Sequence, residues 1–125
     1  MTPRRERSPV VLLVDDERSI LSALERSLRR EGYTILTAET ARSALGLLDE
    51  HPVDVVLSDQ KMPGTSGLDL LREAARRRPE AARLLLTGWP EEVPAAELER
   101  LGIRALIPKP WNAGELKQAL RKSLG

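Results

Sequence analysis

Cysteine is absent from the 125 residues, which excludes disulfides and thiolate metal sites and suits a reducing compartment. Phenylalanine is absent as well, and aromatics make up only 2% of the chain. A base-stacking platform for single-stranded nucleic acid is therefore not expected, and the core must be built from Leu, Val, Ile and Ala. No apolar run is long enough to span a bilayer, and no signal-peptide pattern occurs. A cytosolic protein without membrane association is the expectation. Neither sign of charge dominates. Twenty basic and 19 acidic residues give a net charge of +1 and interleave along the sequence, so direct nucleic-acid binding is not expected either. No glycine-rich loop follows the first apolar run, which argues against a nucleotide-binding fold.

What is present centres on Val53 to Leu68, V-D-V-V-L-S-D-Q-K-M-P-G-T-S-G-L. A short apolar run ends in a lone carboxylate, Asp59. A turn with Pro63, Gly64 and Gly67 follows, and then a helical pattern begins. Val55, Val56 and Leu57 suit a strand buried on both faces, as in a parallel sheet covered by helices. That places Asp59 at the carboxyl end of a central strand, where open α/β sheets bind ligands.

Met1 to Pro9 is polar and Arg-rich and is expected to be a flexible arm, with one domain over residues 10–125. Val10 to Val14 predicts a buried strand running into Asp15-Asp16. Glu17 to Glu31 carries Ile20, Leu21, Leu24 and Leu28 on one helical face, and Gly32 ends it. Tyr33 to Thr37 reads as a strand. Thr40 caps a helix whose apolar face is Ala41, Ala44, Leu45 and Leu48, stopped by His51-Pro52. The Val53 strand comes next, then a helix over Gly67 to Arg78. A strand at Arg83 to Leu86 ends in Thr87-Gly88, and a short helix over Pro94 to Leu101 has its proline in the first turn. Arg104 to Ile107 is the last strand. Asn112 and Glu115 open a final helix with Leu116, Leu120 and Leu124 on its face. Five strand–helix repeats imply right-handed crossovers and a five-stranded parallel sheet. The favoured solution is a three-layer α/β sandwich with helices on both faces.

Such a sheet gathers its strand ends on one edge: Asp15-Asp16, Asp59, Thr87, and Lys109 just after the last strand. Three crowded carboxylates need compensation. Hard oxygen ligands suit Mg²⁺, Lys109 offers a compact positive charge, and Thr87 offers a hydroxyl donor. Together they could hold a tetrahedral anion over Asp59, and a carboxylate that attacks phosphorus forms an aspartyl phosphate. Each feature alone is ordinary turn chemistry; their joint order along the chain is specific.

The chain resembles the receiver domain of bacterial two-component response regulators, the family that includes the single-domain chemotaxis regulators. The likeness rests on V-L-L-V-D-D-E (Val11 to Glu17), L-S-D-Q-K-M-P-G-T-S-G (Leu57 to Gly67), L-T-G (Leu86 to Gly88) and P-K-P-W (Pro108 to Trp111), and it spans about Val10 to Leu124. It implies a flavodoxin-like fold with strand order 2-1-3-4-5 and five helices. It also implies a function: a sensor histidine kinase phosphorylates Asp59 in a Mg²⁺-dependent step, and partner binding then switches. By the same resemblance Asp16, Asp59 and the backbone carbonyl of Lys61 are direct metal ligands, and Asp15 holds metal-bound water. Thr87 and Lys109 bind the phosphoryl oxygens, and a cis bond precedes Pro110. The implied role is a signalling module with slow autodephosphorylation, not a turnover enzyme. Its partners are the kinase and an output domain or protein of unstated identity, with a phosphorylation-linked dimer compatible. A stand-alone receiver and a segment of a longer regulator or hybrid kinase both fit.

One position departs from the family. An aromatic residue usually stands three residues before the lysine, and here that residue is Leu106. The phosphoryl chemistry needs no ring, but the relay to the surface does. One of Trp89 and Trp111 could replace the ring. The plainer reading puts Trp89 on the surface and packs Trp111 under the last helix. The Lys61 side chain is expected at the site mouth, two residues beyond Asp59, where it either screens the phosphoryl group or recruits its donor, or is a solvated loop lysine. His51 reads as a helix end, Arg76-Arg77-Arg78 as cations suited to a helix C-terminus, and Glu91-Glu92 as loop. Two alternatives accompany the main reading. One is a degenerate receiver acting as a fixed binding module. The other is a Mg²⁺-dependent aspartyl-phosphate phosphatase, a class that places its nucleophile on the first strand.

Overall fold

The computed structural model describes residues 7–125. Five strands alternate with five helices: β1 (Val10–Val14), α1 (Arg18–Leu28), β2 (Thr34–Ala38), α2 (Ala41–Glu50), β3 (Val55–Asp59), α3 (Gly67–Arg77), β4 (Ala82–Thr87), α4 (Ala95–Arg100), β5 (Ile103–Pro108) and α5 (Ala113–Leu124). All pairings are parallel, and the strand order is β2-β1-β3-β4-β5. This is the expected sandwich and the expected order.

The central strands are apolar on both sides because both sides are covered. Leu12, Val14, Val56 and Leu85 face Ala44, Leu48, Leu70, Leu71 and Ala74 of α2 and α3. Val11, Leu13, Val55, Leu57, Leu84 and Leu86 face Leu21, Leu24, Leu28, Leu116 and Leu120 of α1 and α5. Among the described residues the largest side chains sealed from solvent are leucines, in keeping with the lack of phenylalanine. Full burial of one such side chain contributes about 2 kcal/mol.

The helix starts are fixed locally. Thr40, Ser66 and Asn112 each accept a backbone N–H three residues on. Glu17 occupies the same position before α1 without a side-chain cap. Helix α1 stops at Leu28, short of the expected Glu31, and Gly32 takes φ +83° in the turn that follows. Pro94 lies one residue ahead of α4, at its N-cap. A 3-10 turn over Pro90–Glu92, not foreseen, precedes it. Strand β3 begins at Val55, two residues later than the apolar run suggests, because Val53 N–H turns back to His51 O and Asp54 has another task. Buried Asp54 accepts from Val10 N–H at 2.8 Å and from both terminal nitrogens of Arg7 at 2.9 and 3.2 Å. Of the expected arm, residues 1–6 lie outside the described residues. Arg7 is held by Asp54, and Pro9 O accepts from Thr34 N–H.

Candidate functional site

Parallel topology delivers the strand ends to one edge. Asp15 follows β1 and is fully buried. Its Oδ1 accepts from Glu17 N–H at 2.9 Å and its Oδ2 from Lys109 Nζ at 3.1 Å. Asp59 closes β3, and its Oδ1 lies 2.8 Å from the same ammonium. Asp16 is exposed beside them. Oxygens of the three carboxylates come within 4.8 Å of one another. Thr87 closes β4, 2% exposed, and its Oγ1 accepts from Trp89 N–H at 3.0 Å. Lys109 follows β5. Its N–H donates to Thr87 O at 2.8 Å, and a cis bond joins it to Pro110. A cavity of about 200 Å³ opens over Asp59, Thr87 and Lys109, rimmed by Glu17, Lys61, Gly88 and Trp89.

The charges do not cancel. Burial pushes Asp59 above its usual carboxylate range. The hydrogen bond from Lys109 opposes that, and Asp15 and Asp16 reinforce it. Burial alone would depress Lys109, but hydrogen bonds to Asp59 and Asp15 outweigh it and hold the ammonium above its ordinary value. Three carboxylates around one lysine leave an excess of negative charge that a divalent cation would relieve. The donor set is hard oxygen throughout, and exposed Asp16 leaves the cluster open to solvent. These residues fit Mg²⁺.

Helix α3 packs closely on the site. A Cβ on Gly67 would land inside contact distance of the Asp59 carbonyl oxygen and 2.9 Å from Leu85 Cδ1. Gly67 N–H donates to Gln60 O at 2.8 Å and Leu68 N–H to Gln60 Oε1 at 3.0 Å, so the residue after Asp59 anchors the helix start.

The family model for the response regulator receiver domain matches residues 11–121. The chain belongs to the response regulator receiver family. It is 37% identical over 120 residues to the hydrogenase transcriptional regulatory protein HoxA of Cupriavidus necator, covering 95% of this chain and 25% of that protein. It is 37% identical over 114 residues to the transcriptional regulatory protein CpxR of Klebsiella pneumoniae, covering 91% of this chain and 48% of that one. The receiver domain thus spans a quarter to a half of these relatives. The signal receiver domain of an HD domain-containing protein from Pseudomonas fluorescens superposes with a TM-score of 0.88 at 38% identity, covering 94% of this chain and 95% of the other.

The receiver domain brings Asp15, Asp16, Asp59, Thr87 and Lys109 together, as the sequence predicts. Lys61 is at the cavity rim, as expected, and its exposed side chain is engaged there. Its ammonium sits 4.0 Å from the centroid of the Trp89 ring and 3.3 Å from Glu92 Oε1. Trp89 is 49% exposed. Trp111 packs with the α1/α5 cluster and donates from Nε1 to Ser27 Oγ at 3.1 Å. Both tryptophans therefore occupy the plainer positions. Leu106 is half-buried against the other cluster. His51 caps α2, donating its N–H to Leu47 O. Arg76 pairs with Glu73, Arg77 with Glu73 and Asp49, and Arg78 with Glu80 and Leu48 O, so the arginine run is spent on its own surface. Sequence reasoning assigned no task to Glu17, whose N–H orients Asp15, or to Gln60. The Glu17 contact is a local turn two residues long, which an Asp ahead of a helix could have signalled, whereas nothing local marks Gln60, whose partners Gly67 and Leu68 lie across the loop.

Proposed function

We propose that this receiver domain accepts a phosphoryl group on Asp59 from a phosphohistidine of a sensor histidine kinase and that a partner protein or output domain reads the change. The supporting observation is the cluster itself: three carboxylates within 4.8 Å and a lysine bonded to two of them, with Asp59, that lysine and the buried Thr87 lining one cavity. In the reaction an Asp59 oxygen attacks phosphorus. The new O–P bond forms as the donor N–P bond breaks, and the departing imidazole nitrogen takes a proton. Lys109 then has phosphoryl oxygen to bind in place of the free carboxylate. Thr87 Oγ1 already accepts from Trp89 N–H, which leaves the hydroxyl proton free to donate into the cavity. Mg²⁺, when bound, neutralises charge on the phosphoryl oxygens. Asp16, Asp59 and the Lys61 carbonyl would hold it directly. Asp15, with both oxygens already engaged, suits the water-mediated role.

That engagement also argues against a phosphatase with its nucleophile on the first strand. The balanced surface supports a receiver domain that does not itself contact nucleic acid. Among the described residues no helix is long and apolar enough to cross a membrane. The test is intact mass after incubation with a small acyl phosphate. One phosphoryl group is expected, absent without Mg²⁺ and absent in Asp59→Asn. No addition with the small donor or with a panel of histidine kinases would leave the fixed binding module as the better reading.

A further inference from the structure

The Lys61–Trp89–Glu92 contact bridges the two loops that flank the cavity. Lys61 lies two residues beyond Asp59, and Trp89 two residues beyond Thr87. Lys61, Asp59, Thr87 and Trp89 line the same cavity. Trp89 is tied to the Thr87 hydroxyl through its own N–H, and Glu92 belongs to the 3-10 turn that leads into α4. The contact is exposed, with the Lys61 and Glu92 side chains 56% and 55% accessible, so each of its two interactions is weak. Trp89 is the one large apolar side chain left exposed among the described residues, and its ring face is covered by a cation.

We propose that Lys61 is a two-position switch: it rests on Trp89 and Glu92 while Asp59 is unmodified, and moves onto the anion once Asp59 carries a phosphoryl group. This rests on the acceptor reading above. A phosphoryl group adds negative charge inside the cavity that Lys61 already lines, where water screens less than at the rim. The ammonium leaves one carboxylate and one ring face for a more strongly charged partner. Trp89 loses its cation, Glu92 loses its ion pair, and the Pro90–Glu92 turn is released at the entrance to α4. Leu106 has no ring to carry such a signal. The Lys61 route needs none, because it starts from charge at the site and ends in the loop before α4.

The experiment is ¹⁹F NMR of the full chain labelled with 5-fluorotryptophan, with Trp111→Phe assigning the two resonances. Spectra are taken before and after phosphorylation by a small acyl phosphate with Mg²⁺, and the phosphoryl occupancy of each sample is read by intact mass. In the wild type the Trp89 resonance is expected to shift while that of Trp111 holds. In Lys61→Met the Trp89 resonance should start away from its wild-type position and move far less on phosphorylation. In Glu92→Gln it should start part-way along the wild-type shift. A fully phosphorylated wild type with an unmoved Trp89 resonance, or an equal shift in Lys61→Met, overturns the switch and leaves the acceptor reading standing. A mass spectrum with no phosphoryl group under any donor overturns both.

Discussion

Lys109 carries more of the site's electrostatics than any other residue. One ammonium, 22% accessible, answers two buried carboxylates. Lys109→Met is expected to cost about 1–3 kcal/mol in urea unfolding without metal, less than a fully buried pair because water reaches the lysine. The same variant should bind Mg²⁺ more tightly, by about 1 kcal/mol or roughly fivefold, since a competing charge has gone; a Mg²⁺ titration checks this. Asp59 answers to pH. Its carboxyl is raised in the fold, chiefly by burial, so the proton is held more tightly folded than unfolded. Stability from this group is full below the unfolded value and is lost as pH rises through the folded one. Asp59→Asn should therefore unfold at higher urea than wild type at neutral pH without metal, with the gap closing as pH falls toward the ordinary carboxylate range. A variant no more stable at neutral pH would contradict that sign.

Among the elements, α3 is held by its contact with the end of β3. Alanine usually stabilises a helix over glycine by about 1 kcal/mol. At Gly67 the sign reverses, because the added methyl meets Asp59 O and Leu85. Gly67→Ala is expected to lose about 1–3 kcal/mol and to slow phosphorylation by displacing the Asp59 backbone, read by thermal unfolding and by the rate of mass gain. This close approach shows where sequence reading stops. The glycine is visible as turn punctuation, but which backbone faces it depends on how α3 returns across the sheet. Strands β1 and β3 were legible because a run such as Val10 to Val14 can only be buried on both faces. The start of β3 was not, because Asp54 is diverted to Arg7, 47 residues away.

For the molecule as a whole, parallel order is what made the site legible. Once five strand–helix units are recognised, Asp15, Asp59, Thr87 and Lys109 must share an edge, and they do. The Lys61–Trp89 stack was out of reach, since two loops of no regular structure set it. Folding collects like charges on that edge, so metal should act on the whole domain's stability. At one hundred times its dissociation constant, Mg²⁺ adds about 2.7 kcal/mol. Asp16→Asn should abolish the gain without lowering the metal-free melting temperature, because exposed Asp16 contributes repulsion and no packing. The central claim, that Asp59 and not a neighbouring carboxylate receives the phosphoryl group, is tested most directly by borohydride reduction of the phosphorylated protein followed by peptide mapping. An acyl phosphate reduces to an alcohol, so the account predicts homoserine at position 59 with Asp15 and Asp16 intact. Homoserine at position 15 or 16, or a phosphoryl group that resists reduction, would contradict it.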